Sequence, residues 1–330
     1  MSGPLAVVGA GAWGTALANA AARAGGGRVL LWGRNPDAMA VLAATRTNER
    51  ALPGVELAPE IEPTADAAAV GAASAVLLVV PAQAVRGALA GLGSVLAAPD
   101  LPIIVCAKGI ERGSGAFPCD IVAELCPRAV PAVLSGPSFA ADVARDLPTA
   151  VVLASAKAGL ARKLAARLSG PALRVYHGTD VRGVEIGGAA KNVLAIACGI
   201  VAGRGLGESA RAALVARGFA ELARFARAHG ARAETLMGLS GLGDLVLTCG
   251  SAQSRNFAFG EALGRGEVPA TAAAGKLVEG AFTAPVLVDK AARAGVDMPI
   301  AQAVAAILDG AITVNEAVDM LMMRPLKAEA

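Results

Sequence analysis

Short apolar runs alternate with alanine-rich stretches through the first half of the chain, and the alternation stops near residue 180. The runs are Leu5–Val8, Val29–Trp32, segments ending near Val80, Cys106 and Ser135, and then 150–154 and 173–176. None shows the polar alternation of a half-exposed strand. They suit strands covered on both faces, so they predict a doubly wound, mostly parallel α/β sheet. Such sheets bind ligands at the carboxyl ends of their strands. From Val184 onward strand-like runs are scarce and Ala/Leu/Arg stretches dominate. Leu214, Val215, Phe219, Leu222 and Phe225 recur at helical spacing, and Pro285 and Pro299 each predict a helix start. The expected division is an α/β unit over residues 1–183 and an all-α unit over residues 184–330.

The first strand is followed at once by Gly9-Ala10-Gly11-Ala12-Trp13-Gly14, a predicted helix over 15–24 and the second strand. In this context the three glycines have separate tasks: a tight turn, close approach of backbone to a diphosphate, and tight helix–strand packing. A helix N-terminus there favours negative charge. The N-terminal unit is therefore expected to be Rossmann-like and to bind a dinucleotide through Gly9, Gly11, Ala12, Trp13 and Gly14. Enzymes restricted to NAD place an acidic residue at the end of the second strand, but here Gly33-Arg34 stands there. A guanidinium pairs with a 2′-phosphate, so NADPH is expected to serve at least as well as NADH. The other reading of Arg34 is a solvated charge opening the Asn35-Pro36-Asp37 turn.

Composition narrows the function. Hydrophobic residues make up 55% of the chain and charged ones 17%, so much of it must be buried in cores or between subunits. A net charge of +3, no Lys/Arg block and 3% aromatics argue against a nucleic-acid partner. The five cysteines form no CxxC pair or metal-ligand cluster, which suits a reducing cytoplasm, no structural disulfide and no metal. No basic-then-apolar leader precedes Leu5. The charge-free stretch 67–85 contains Gly71 and Pro81, and its strongly apolar part is only 75–80. That is short of the roughly 20 residues of a membrane span, so no membrane insertion is expected.

Lysine is scarce, seven residues against 23 arginines. Lys108 follows the fourth strand run directly; a stem extended to water is its ordinary reading. Lys191 sits in Glu185-Ile186-Gly187-Gly188-Ala189-Ala190-Lys191-Asn192, with an apolar run to Val201 behind it. Lost solvation there disfavours the charged form and makes the amine a usable acid–base group near neutrality. Asp244, in Gly238-Leu239-Ser240-Gly241-Leu242-Gly243-Asp244, lies among glycine and apolar positions. It either orients a site group or caps the helix that follows, and the two roles are compatible. Ser254, Arg255 and Asn256 offer hydroxyl, guanidinium and amide donors suited to phosphate oxygens.

The segments GAGAWGTALA, CAKGIERGSG, SGPSFA, EIGGAAKNVLAIACGI and GLSGLGDLVLTCGSAQSRNFAFG, in order over nearly the whole chain, resemble those of the bacterial NAD(P)-dependent glycerol-3-phosphate dehydrogenases. The resemblance implies a Rossmann-like N-terminal domain and a helical C-terminal one. It also implies hydride exchange between NADPH or NADH and dihydroxyacetone phosphate, giving sn-glycerol 3-phosphate for phospholipids. Lys191 matches the family's proton-transferring lysine. Lys108, Gly136, Ser138, Asp244, Ser254, Arg255 and Asn256 match its substrate-binding positions, with Asn192 beside the lysine. Trp13, Arg34, Lys108, Ala140, Arg255, Leu277 and Glu279 match positions lining the cofactor. Two departures stand out: Ala12 replaces a frequent serine, and Ala51 a frequent aromatic. A phosphorylated triose is the expected partner, and the apolar helices of the second half make a homodimer plausible. The rival readings are a 6-phosphogluconate or ketopantoate reductase type and a dinucleotide-sensing regulator. His177 and His229, the only histidines, read as structural or surface residues.

Overall fold

The computed structural model describes residues 3–273 and 275–325. Eight strands form one sheet: β1 (Leu5–Val8), β2 (Val29–Trp32), β3 (Ile61–Thr64), β4 (Ala75–Leu78), β5 (Pro102–Val105), β6 (Val130–Ser135), β7 (Thr149–Ala154) and β8 (Leu173–Gly178). Their order is β3-β2-β1-β4-β5-β6-β7-β8. Every neighbouring pair is parallel except β6 and β7. Leu5 lies opposite Val29 on one side and Ala75 on the other. This is the doubly wound arrangement expected from the apolar runs, and β1, β4 and β5 are buried throughout. Its strand order reverses between β1 and β4, which opens a crevice at their carboxyl ends.

One strand was not legible as an apolar run. β3 reads Ile61-Glu62-Pro63-Thr64. It is the outermost strand, where a proline without an N–H removes no ladder bond on the free side. Another expectation needs correction: Pro285 does not start a helix but lies inside the helix Glu279–Arg293. Lacking an N–H, it leaves the carbonyl one turn back without a helical donor, a cost that packing of the buried Thr283, Ala284 and Leu287 offsets. Pro299 does occupy the start of its helix, Pro299–Asp309.

The second half is helical and centres on Val181–Gly203, which is buried continuously from Gly183 to Val201. By length and a mean hydropathy of 1.6 this helix could cross a membrane, but it lies inside the fold. It begins three residues ahead of the expected division, with the Asp180 side chain accepting from the Gly183 N–H. Against it the helix Arg255–Gly264 packs at backbone contact. A Cβ on Gly199 would lie 2.0 Å from the Phe257 carbonyl oxygen, and one on Gly260 would lie 2.0 Å from that of Ile196. Gly203 and Gly264 repeat the arrangement one turn on. Any side chain at this crossing would push apart the helices that carry Lys191 and Asn256. All five cysteines are free and buried.

Candidate active site

The glycine loop shows each glycine in a different role. Gly9 has φ +118, and a Cβ there would sit 2.5 Å from the Val79 carbonyl oxygen. A Cβ on Gly14 would lie 1.8 Å from the Gly9 carbonyl oxygen, so the helix can only rest on β1 without one. Gly11 is different: a Cβ there meets nothing within 4 Å. The space beside it is open, which leaves room for the close approach of a ligand. The first helical bond runs from Thr15 N to Gly11 O. The amides of Ala12, Trp13 and Gly14 precede it and need other partners. These features fit a dinucleotide's diphosphate. Ala12 contributes its backbone N–H only.

At the helical side of the crevice, two lysines share one carboxylate. Lys191 Nζ donates to Asp244 Oδ1 at 2.7 Å and to Thr248 Oγ1 at 2.6 Å. Lys108 Nζ donates to Asp244 Oδ2 at 2.6 Å and to the Gly136 carbonyl at 3.0 Å. An ammonium has three donors, so each lysine keeps one for a ligand. Burial of the ammonium, opposed by Asp244, brings the Lys191 pKa down to about 8. Burial pushes the Asp244 carboxyl up, but the two ammoniums outweigh it and hold the group below the ordinary aspartate value.

The chain places Asp244 by an uncommon local device. Residues Leu239–Gly243 form a π-helical turn, in which the Gly243 N–H reaches back to the Gly238 carbonyl. The turn lies so close to the long helix that a Cβ on Gly187 would come within 2.5 Å of the Ser240 carbonyl oxygen. Asp244 then opens the helix Asp244–Cys249. Its oxygens go to the lysines and to the Thr248 hydroxyl, 3.3 Å away, and not to the helix amides. The capping reading of Asp244 therefore does not hold.

A second chain of bonds fixes the neighbouring donors. Asn192 Nδ2 donates to the Lys108 carbonyl at 3.1 Å, and Asn256 Nδ2 to Asn192 Oδ1 at 3.0 Å. Gly280 N in turn donates to Asn256 Oδ1 at 2.9 Å. Ser254 caps its helix by accepting from Phe257 N. Arg255, next along, is exposed and makes no ion pair among the described residues. Ser138 Oγ donates to the same Gly136 carbonyl that Lys108 uses. Gly136 itself, at φ +147, packs where a Cβ would be 2.9 Å from Val151 Cα.

Of the other cofactor candidates, Glu279 is the most informative. Its Oε1 accepts from the Ala82 N–H at 3.1 Å, whereas its buried Oε2 has no partner among the described residues. Burial raises its carboxyl pKa. An unpartnered acceptor of this kind suits a ligand amide or hydroxyl. Arg34 is exposed just past β2, followed by Asn35, which caps the helix Pro36–Thr45. Trp13, Ala140 and Leu277 are half-buried. None of Arg34, Trp13, Ala140, Leu277 or Arg255 is hydrogen-bonded to the lysine cluster among the described residues. Sequence reading missed Thr248, although its place four residues after Asp244 on one helix puts both side chains on one face.

Comparison with known proteins shows the family. Residues 4–161 match the family model described as NAD-dependent glycerol-3-phosphate dehydrogenase N-terminus, and residues 180–319 match its C-terminus counterpart. A Methylobacterium radiotolerans protein named glycerol-3-phosphate dehydrogenase (NAD(P)+) is 63% identical over 99% of this chain and 98% of its own. One from a Bradyrhizobium species, similarly named, is 61% identical over 98% of each chain. The crystal structure of the glycerol-3-phosphate dehydrogenase from Coxiella burnetii superposes with a TM-score of 0.92 at 39% identity, covering 98% of this chain and 99% of that one. A ketopantoate reductase from Ralstonia eutropha shares the fold at a TM-score of 0.60 and 19% identity. The chain belongs to the NAD-dependent glycerol-3-phosphate dehydrogenase family.

Proposed function

We propose that this chain is an NAD(P)-dependent oxidoreductase that reversibly interconverts dihydroxyacetone phosphate and sn-glycerol 3-phosphate. The observation that carries the reading is the buried Lys191–Asp244–Lys108 cluster, in which each lysine keeps one donor for a substrate oxygen. Bound NAD(P)H supplies the hydride. Lys191 donates its remaining N–H to the ketone oxygen, stabilises the charge that develops there and then gives up the proton. In the reverse direction the neutral amine accepts the alcohol proton. A pKa of about 8 keeps both forms within reach near neutral pH. Lys108 and the second amide hydrogen of Asn192 add donors on the same side.

Gly136, Ser138, Ser254, Arg255 and Asn256 complete the proposed substrate site. Arg255 grips the phosphate, and that remote binding energy aligns the reacting carbon. Asn256 has one amide hydrogen left for this purpose, since its other donor and its oxygen are committed. Gly9, Gly11, Ala12, Trp13 and Gly14 hold the diphosphate. Arg34 faces a 2′-phosphate, while Ala140, Leu277 and Glu279 line the rest of the cofactor. The chain divides into a cofactor unit, 1–183, and a substrate unit, 184–330; two separate family models, over 4–161 and 180–319, support a two-part division without fixing that boundary.

Oxidation of reduced nicotinamide, followed by absorbance with dihydroxyacetone phosphate, tests the activity; no turnover with either cofactor refutes it. General acid–base help is worth about 10²–10⁴-fold, so Lys191→Ala should lower kcat by at least about 100-fold while still binding cofactor. Near-normal kcat would remove Lys191 from the role. Loss of a charge-assisted phosphate contact costs about 1.5–3 kcal/mol. Arg255→Ala is accordingly expected to raise KM for dihydroxyacetone phosphate by about 10–100-fold, and an unaltered KM would contradict the clamp. In Arg34→Ala, the ratio of kcat/KM for NADPH to that for NADH should fall. A constant ratio would show that Arg34 does not read the 2′-phosphate.

A further inference from the structure

The 46–58 connection crosses the outside of the glycine loop, and one side chain in it reaches both ends of that loop. Asn48 Nδ2 donates to the Ala10 carbonyl at 3.0 Å and to Thr15 Oγ1 at 2.8 Å. Ala10 lies between the first two fingerprint glycines, and Thr15 follows the third. Both hydrogens of the carboxamide are used on the loop.

The brace is itself fastened to the fold. The Asn48 carbonyl accepts from Ala51 N and Leu52 N. Asn19, on the helix behind the loop, donates to the Glu56 carbonyl at 3.1 Å and accepts from Ala58 N at 2.8 Å. The Arg46 guanidinium donates to the carbonyls of Ile61 at 2.8 Å and Ala58 at 2.6 Å. Leu52 and Leu57 are buried against the same core as the helix Ala12–Arg23. The connection is thus a fixed strap, and Asn48 is its contact with the loop.

The Ala10 carbonyl and the Gly11 N–H belong to one planar trans peptide, so they point in opposite directions. Holding the oxygen aims the N–H. Gly11 is the fingerprint glycine whose surroundings are open to a ligand. We propose that Asn48 is a positioning residue for the cofactor: by gripping the Ala10 carbonyl it points the Gly11 N–H at the diphosphate. The inference rests on the glycine loop being the dinucleotide seat. It assigns a role that depends on the diphosphate, which NADH and NADPH share, and not on the 2′-phosphate.

Affinity is read from quenching of the intrinsic fluorescence of Trp13 and Trp32, the chain's only tryptophans. Loss of a hydrogen bond worth about 1–1.5 kcal/mol is roughly a tenfold change in Kd. Asn48→Ala should therefore weaken NADPH, NADH and ADP-ribose alike by about tenfold. Its KM for cofactor should rise in step, while kcat at saturating cofactor and KM for dihydroxyacetone phosphate stay within about twofold. Asn48→Asp keeps the side-chain volume and sets a carboxylate against the Ala10 oxygen, so it should bind more weakly still. This second variant keeps the test open if the alanine variant fails to fold. Binding within twofold of wild type in either folded variant, or a loss confined to kcat, overturns the proposal. Wild-type protein that does not bind NADPH would overturn the loop reading itself, a separate result.

Discussion

The site depends on one buried carboxylate held between two ammonium groups. Asp244 is 1% exposed, and alone it would be costly to ionise. Lys191 is nearly as buried and alone would shed its proton. Together with Lys108 they settle into an arrangement with one more positive than negative charge and two unused N–H donors. That surplus is what an electron-rich carbonyl and a phosphorylated substrate need. Removing the shared carboxylate leaves two ammoniums uncompensated, and breaking a buried pair in this way typically costs about 3–5 kcal/mol. The cluster is therefore coupled to stability as well as to chemistry.

Three separate segments must converge to build it, and each is brought in by close backbone packing. The loop after β5 delivers Lys108 at the carboxyl end of the sheet. The long buried helix delivers Lys191 and Asn192. The π turn delivers Asp244, resting on that helix at Gly187. The glycine crossing at Gly199 and Gly260 fixes how far the 255–256 segment lies from Asn192, and the Asn192–Asn256 bond completes the register. On the cofactor side, Gly14 resting on the Gly9 carbonyl plays the same part. Glycine lets backbones touch in all these places, and none of them tolerates a methyl group without movement.

The sheet was legible because most of its strands are apolar runs covered on both faces; β8, with Arg174 and Tyr176 exposed, is covered on one face only, and β3, with Glu62 and Pro63 among its four residues, gave no such signal. Pro285 misled for a related reason: proline statistics favour helix starts, but a buried face carried the helix through it. Lys191 stood out as a lone ammonium in an apolar helix, and Asp244 as a charge among glycines. Their pairing was foreseen only in outline, since residues 53 apart in sequence give no period that reveals contact. Thr248 and Asn48 escaped notice because a neutral polar residue in a helix or a loop is unremarkable until its partner is known.

The most direct measurement of the central claim is the pH dependence of kcat in both directions, for wild type and for Asp244→Asn. In the proposed mechanism ketone reduction uses the Lys191 ammonium, so its rate should hold at lower pH and fall as pH rises through about 8. Alcohol oxidation needs the free amine and should rise through the same midpoint. Asp244 favours the charged lysine, so its neutralisation should move both midpoints to lower pH. Midpoints that stay in place in Asp244→Asn, or that move upward, would contradict the shared-carboxylate account.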